Sequence, residues 1–352
     1  MDLTSYGNPP PWLTRPYLIA EAGVNHNGDR QLAHRLIEAA HAAGADAVKF
    51  QTWLPGEQVG RFATKIAYLE RGLGQETFFD ASERLRLTFE DFVALHTQCK
   101  SLGIEFLSTA DGPESFAFLV DKLNVPFVKV GSTELNHPQF LSIMAARRRP
   151  VILSTGMGTL GEVESALGVI RQVGGEQIPV VVLHCTSEYP ARPEDMNLRA
   201  MTTMAQAFHV PVGLSDHSQG IEAAIAAIAL GGCVIEKHFT LDRKMDGPDH
   251  EASLEPEALA ALVQAMRRTA IMLGDGIKQP VAIEQSNMVS IRRSVVASRD
   301  LPPNTVLQLS DLICKRPGHG IAPANLNNLV GMRINRAIEM DEPILWNDLI
   351  SG

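Results

Sequence analysis

The chain has few cysteines, no basic run longer than the three arginines at 147–149 and no apolar stretch long enough to span a bilayer, and each shortage bears on a class of function. Its four cysteines (Cys99, Cys185, Cys233 and Cys314) form no CxxC pair. They read as free thiols in a reducing cytosol rather than as a disulfide scaffold. The formal net charge of −9 argues against a nucleic-acid or membrane-surface protein, because binding a phosphate backbone needs a basic footprint. Residues 1–10 show neither the basic nor the apolar region of an export signal, so a cytoplasmic protein is expected. One GxGxxG, at residues 156–161, is weak as a phosphate motif by itself and leaves an open dinucleotide-binding sheet as the rival to a barrel, while the absent P-loop pattern disfavours a P-loop nucleotide site.

What is present is ordinary in bulk and specific in arrangement. Hydrophobic residues make up 45% and charged residues 20%, as expected of a soluble globular protein. From residue 16 to about 274 short apolar strands alternate with amphipathic helices. Strands are predicted at 17–20, 47–50, 104–107, 127–130, 151–153, 180–183, 212–214 and 234–236. Helices are predicted at 31–43, 89–102, 163–173 and 222–230, and a last one starts at Pro256 and stops before Gly274. Eight such units predict a (β/α)8 TIM barrel over residues 1–275, of the α/β class. Residues 276–291 are polar and read as a linker. Residues 292–352 carry short apolar pieces separated by turns, which predicts a small β-rich module.

A barrel collects its chemistry at the C-terminal ends of its strands. Here every strand ends in polar or ionisable residues, whereas the strand starts are mostly apolar. Two endings stand out: Gly213-Leu214-Ser215-Asp216-His217 and Ile235-Glu236-Lys237-His238-Phe239-Thr240. Burying an unpaired charge or imidazole costs several kcal/mol, so a core strand gains nothing by ending this way. Neighbouring parallel strands lie about 4.8 Å apart, so His217 and His238 at one height can share a divalent ion. Imidazoles with oxygen ligands suit Mn2+, and Zn2+ or Fe2+ are compatible on ligands alone. Both rings must be neutral to bind it, so activity is expected to fall below about pH 6.

Lys49 and Lys129 lie inside apolar strands. They read as partners of carboxylates such as Glu21 or Glu134, as an anion clamp, or as a Schiff-base nucleophile in an aldolase. Ser132, Ser154 and Ser215 are predicted at strand-to-helix turns; singly each reads as an N-cap, and together beside a lysine they read as a phosphate or carboxylate pocket.

Seven stretches carry a family resemblance: 19–28, 48–52, 129–132, 153–157, 183–186, 213–217 and 236–240, together with Arg316-Pro317-Gly318 near the C-terminus. The chain resembles the sialic acid synthases, which condense phosphoenolpyruvate with an N-acylated mannosamine-type sugar to form nonulosonic acids. The resemblance implies that the terminal module is an antifreeze-like (SAF) domain. It implies a divalent metal on His217 and His238, with Mn2+ first and Mg2+ or Co2+ as substitutes. Lys49, Lys129, Ser132, Ser154, Ser187 and Ser215 would hold phosphoenolpyruvate. Gln51, Thr109, Glu134, Tyr189 and Asp249 would line the sugar pocket, and Arg316 would reach the sugar's N-acyl group from the other subunit of a domain-swapped homodimer. Glu134, Lys49, Gln51 and Glu21 are the expected catalytic groups. Two departures stand out: Ala110 replaces a proline found in many relatives, and Ser187 stands where some carry a phosphate-touching asparagine. Residues 244–251 resemble members making neuraminic or legionaminic acid more than pseudaminic acid. A 9-phosphate synthase and a glycan- or ice-binding protein are the remaining alternatives.

Overall fold

All eight predicted barrel strands form, and all but the fourth run on past their apolar cores. In the computed structural model, which describes residues 10–65, 70 and 73–350, they are β1 (Tyr17–Gly23), β2 (Ala47–Thr52), β3 (Glu105–Ala110), β4 (Val128–Val130), β5 (Val151–Ser154), β6 (Val180–Cys185), β7 (Val212–Asp216) and β8 (Val234–His238). They are parallel, pair in sequence order and close through β1 against β8. Helices cover the outside of the barrel, so both faces of each strand are buried and the strands are apolar almost throughout.

Alternation along the strands separates two cores. Leu18, Val48, Phe106, Val128, Leu153 and Ile235 belong to the large core that the helices share. Their neighbours Ile19, Leu107, Ile152, Val181, Leu183 and Val234 form a second cluster inside the barrel. A short helical turn at Pro11–Leu13 contributes Trp12 to that inner cluster, edge-on to Tyr17 and Phe127 with ring centroids 6.1 and 4.5 Å away. Trp12 is 2% exposed, so the turn plugs the N-terminal mouth with a large apolar side chain.

The helices begin and end where side chains satisfy their termini. Asp29 caps Arg30–Ala43, and Thr88 and Thr159 form reciprocal capping boxes on Phe89–Leu102 and Leu160–Gly174. Gly44 and Gly103, both left-handed, stop the first two of these. Pro256 opens the helix Pro256–Leu273, after which the chain divides into a second compact unit at Asp275. Among the described residues no helix is long and apolar enough to cross a membrane.

The second unit has its own apolar core, built from Val295, Leu301, Leu307, Leu329, Ile334 and Ile344 among others. Its strands are short antiparallel pairs: β9 (Ser294–Ala297) with β10 (Leu312–Lys315), and β11 (Arg333–Ile334) with β12 (Leu349–Ile350). The stretch read as a linker is not irregular: it carries the helix Ala282–Ile291, all of whose residues are exposed or half-buried. Val289 and Ile291 carbonyls of that helix accept the Gly318 N–H (2.7 Å) and the Arg316 Nε–H (3.0 Å).

Candidate active site

Inside the barrel the layer above the apolar cluster is charged. Register puts Glu21 beside both Lys49 and His238, and Ser215 beside Glu236. Lys49 Nζ lies 2.9 Å from Glu21 Oε2, donates to Thr109 Oγ1 at 2.9 Å and stands 3.9 Å from Glu236 Oε1. Lys129 Nζ lies 3.4 Å from the same Glu236 oxygen and donates to Ser154 Oγ at 2.9 Å. Ser215 Oγ donates to Glu236 Oε1 at 3.2 Å, while Glu236 Oε2 is buried with no hydrogen-bond partner among the described residues. Two cations and two carboxylates thus form a buried four-charge floor.

Neighbours outweigh burial at Lys49 and Glu236, and burial wins at Lys129 and Glu21. Burial pulls Lys49 down, but Glu21 and Glu236 outweigh it and keep the ammonium above its ordinary range. Lys129 is drawn below its usual value by burial, with Glu236 opposing. For Glu236 burial is outweighed by Lys129 and Lys49, which hold the carboxylate low. Glu21 goes the other way: burial, reinforced by Glu236, raises it to about 7 despite Lys49. Gln51 Nε2 reaches Glu21 Oε1 at 3.4 Å.

The two histidines meet as their spacing predicts. Their ring centroids are 5.4 Å apart and the planes lie at 74°. His217 Nδ1 sits 2.7 Å from the Thr186 carbonyl and so carries a proton there, and Nε2 lies near Tyr189 Oη (3.1 Å) and Ser215 Oγ (3.3 Å); burial pulls the ring down, but Cys185 outweighs it and holds it above its ordinary value. Tyr189 stacks on the His217 ring at 4.0 Å. His238 Nδ1 is buried without a hydrogen-bond partner among the described residues, 3.7 Å from Asp249 Oδ2. Burial above all, then His217 and Lys49, keeps the His238 ring far below its ordinary value and therefore neutral. Burial raises Asp249 to about 6.

These facts fit a divalent ion. Metal-bound histidines commonly give their second N–H to a carbonyl, as His217 does to Thr186, and an orphaned buried imidazole nitrogen needs a partner. Among the described residues no group of three His, Cys, Asp or Glu side chains forms a cage, so a bound ion would have two protein imidazoles and open positions.

The remaining predicted residues distribute around this centre. Ser132 Oγ accepts the Gly156 N–H at 3.0 Å, and a Cβ on Gly156 would lie 2.8 Å from that oxygen and 2.3 Å from Ser187 Oγ. Only glycine lets the two hydroxyls converge there. Glu134 follows on a single turn at Ser132–Glu134, its carboxylate 3.1 Å from His137 Nδ1. Ser132, Glu134 and His137 line one cavity of about 730 Å3 together with the floor and the two histidines. Arg316 is exposed in the second unit.

Residues 36–278 match the NeuB family and residues 292–350 match the SAF domain. This chain belongs to the NeuB family. It is 42% identical over 336 residues to an N,N'-diacetyllegionaminic acid synthase of Legionella pneumophila, covering 95% of this chain and 94% of that one. An N,N'-diacetyllegionaminic acid synthase of Campylobacter jejuni is 40% identical over 94% of this chain and 99% of its own length. Among solved structures, an N-acetylneuraminic acid synthetase from Leptospira borgpetersenii, in complex with citrate, superposes with a TM-score of 0.68 at 33% identity, over 78% of this chain and 90% of that one. The terminal module is thus a SAF domain, and the NeuB relatives are synthases of nonulosonic acids.

Within this NeuB-family barrel, strand geometry corrects several residue readings. Ser154 ends β5 and Ser215 lies inside β7, and their hydroxyls join the charged floor instead of capping helices. Thr109 serves that floor too, through Lys49. Three other polar residues at strand ends tie the fold together: Asn25 Nδ2 donates to the Phe239 carbonyl, His184 Nε2 meets the Met196 carbonyl, and Lys237 pairs with the buried Asp216 at 2.8 Å. Glu236 was missed as a floor residue, although two-residue alternation from His238 marks it as inward. Asp111, Glu57 and the apolar flank of Trp53, Leu73 and Phe78 also line the cavity, and loop residues carry no period that would announce them.

Proposed function

We propose that the chain condenses phosphoenolpyruvate and water with the open-chain form of an N-acylmannosamine-type sugar, giving a nonulosonic acid and inorganic phosphate. The observation that carries this reading is the floor: two buried lysines and three serine hydroxyls, Ser132, Ser154 and Ser215, at the end of a barrel where such folds place their sites. That set suits a small donor bearing both phosphate and carboxylate, because charge-assisted bonds from two lysines tolerate two anionic groups. In the reaction the enol carbon C3 of the donor bonds to the sugar aldehyde carbon, whose oxygen takes up a proton. Electron demand then falls on C2, where water adds and loses a proton. The C2–O bond to phosphate breaks last and leaves the 2-oxo acid.

The chain's own residues supply orientation and proton handling. Lys49 and Lys129 hold the donor's anionic groups, with Ser187 and the Gly156 N–H beside Ser132. Glu134, oriented by His137, faces the cavity and is the group proposed to take the proton from the incoming water. Glu21, poised near neutral pH and tied to Gln51, is proposed to pass protons beside Lys49. Tyr189 and Asp249 flank the histidine pair on the acceptor side. A divalent ion on His217 and His238, Mn2+ by ligand type, would act as a Lewis acid toward the aldehyde oxygen. The enzyme is further proposed to be a cytoplasmic homodimer in which Arg316 of a second subunit binds the N-acyl group.

The test is phosphate release from phosphoenolpyruvate with N-acetylmannosamine or 2,4-diacetamido-2,4,6-trideoxymannose. Release should require both substrates, vanish with EDTA and return with Mn2+. Turnover that ignores chelation would remove the metal, and borohydride trapping of a pyruvate adduct on lysine would replace the whole reading with an aldolase.

A further inference from the structure

The cavity is chemically two-sided. Its lysines sit on the floor, each committed to a carboxylate. Beyond the ends of β2 and β3 the walls turn acidic and apolar, with Glu57, Gln58 and Asp111 beside Trp53, Leu73 and Phe78. Among the described lining residues there is no third lysine and no arginine.

The acidic wall is built, not incidental. Asp111 follows β3 directly, and its N–H continues the ladder to the Thr52 carbonyl at 3.1 Å. Gln58 Nε2 donates to Asp111 Oδ2 at 2.8 Å, while Gln58 Oε1 accepts the Ser82 hydroxyl at 2.7 Å. Asp111 Oδ1 has no hydrogen-bond partner among the described residues. Behind it, Glu57 Oε2 accepts the Leu54 N–H at 2.7 Å and the Ser115 hydroxyl. A Cβ at position 112 would lie 2.3 Å from the Glu57 carboxyl carbon, so Gly112 is what lets this second carboxylate press against the Asp111 turn.

We propose that Asp111, backed by Glu57, is a specificity-determining residue that selects an uncharged acceptor sugar over a phosphorylated one. The inference rests on the condensation proposed above and adds the class of acceptor. Burial raises the Asp111 carboxyl to about 7, with Glu134 and Glu57 adding to the rise and Gln58 and Lys49 opposing it. Near neutral pH such a carboxyl both donates and accepts, which suits a sugar hydroxyl or amide. A phosphate placed there meets like charges on a half-buried wall and, among the described lining residues, no counter-ion. The apolar flank offers it nothing either, but accommodates a carbon end such as a methyl group.

The experiment compares N-acetylmannosamine with its 6-phosphate, by phosphate release from phosphoenolpyruvate, in the wild type, Asp111→Asn and Glu57→Gln. Both substitutions keep shape and remove the charge, exchanging one carboxyl oxygen for an N–H donor. The wild type should favour the neutral sugar by about 100-fold or more in kcat/KM, and each variant should narrow that ratio by about tenfold. A merely structural role would lower both acceptors together. Wild-type turnover of the 6-phosphate equal to that of the neutral sugar overturns the proposal, as does an unchanged ratio in both variants. If no acceptor supports phosphate release, the condensation itself fails and this inference with it. Release with one acceptor and a flat ratio sinks the inference alone.

Discussion

Glu236 and Lys129 stand closest to the centre of the floor, and they make opposite predictions. Glu236 occupies space beside two cations that an anionic donor would use. Replacing it by glutamine should leave phosphoenolpyruvate binding equal or tighter, read as thermal protection by the donor. Lys129→Ala should abolish that protection and lower the melting temperature, because it takes the nearer of two lysines from the buried Glu236 carboxylate. A Glu236→Gln chain that binds the donor tenfold more weakly would contradict the assignment. A second residue-scale prediction concerns His26, whose ring is fully buried and whose Nδ1 accepts the Gly28 N–H at 3.1 Å. Burial lowers it from 6.5 to about 4. A base whose folded value is depressed stabilises fully above its unfolded value and loses that contribution as pH falls toward the folded one. Melting temperature should therefore drop between pH 6.5 and 4, by up to the equivalent of roughly 3 kcal/mol. His26→Gln should flatten that slope; an unchanged slope would count against it.

At the scale of elements, the turn Pro11–Leu13 seals the barrel far from the charged floor. Trp12→Ala should cost about 3–5 kcal/mol through the cavity it leaves, yet spare kcat in the folded fraction. Loss of kcat at temperatures well below melting would show that the plug reaches the chemistry. This element illustrates what sequence reading catches and misses. Strands such as 180–183 announce themselves because parallel strands buried on both faces are continuous apolar runs. Helices such as 89–102 do so through period and caps. Position along a strand decides more than composition does: Lys237 and Glu236 are neighbours, yet one faces Asp216 among the helices and the other faces the floor. A one-residue difference of that kind is legible only once the inward register is fixed, as it is by His238. The turn at 11–13, the helix at 282–291 and the walls after β2 and β3 have too little periodicity to be read in advance.

At the scale of the whole molecule, the proposed sharing of Arg316 between subunits has a direct test. Arg316→Ala and His238→Ala chains should each be nearly inactive, and mixing them after refolding should restore part of the activity. One site in a mixed dimer would then hold an intact His238 and receive an intact Arg316. Mixed dimers that form but stay inactive would remove the shared site and leave the barrel self-sufficient.

The pairing of Lys49 and Lys129 with Glu21 and Glu236 has one more implication. Although the chain is acidic overall, the two cations of its floor arrive already paired. Chloride, sulfate and free phosphate from the surrounding medium therefore find little welcome, since any visitor must first dislodge tethered resident anions. A guest with two acidic groups at opposite ends is the kind that can, which makes the pairing a filter against the commonest ions the chain encounters.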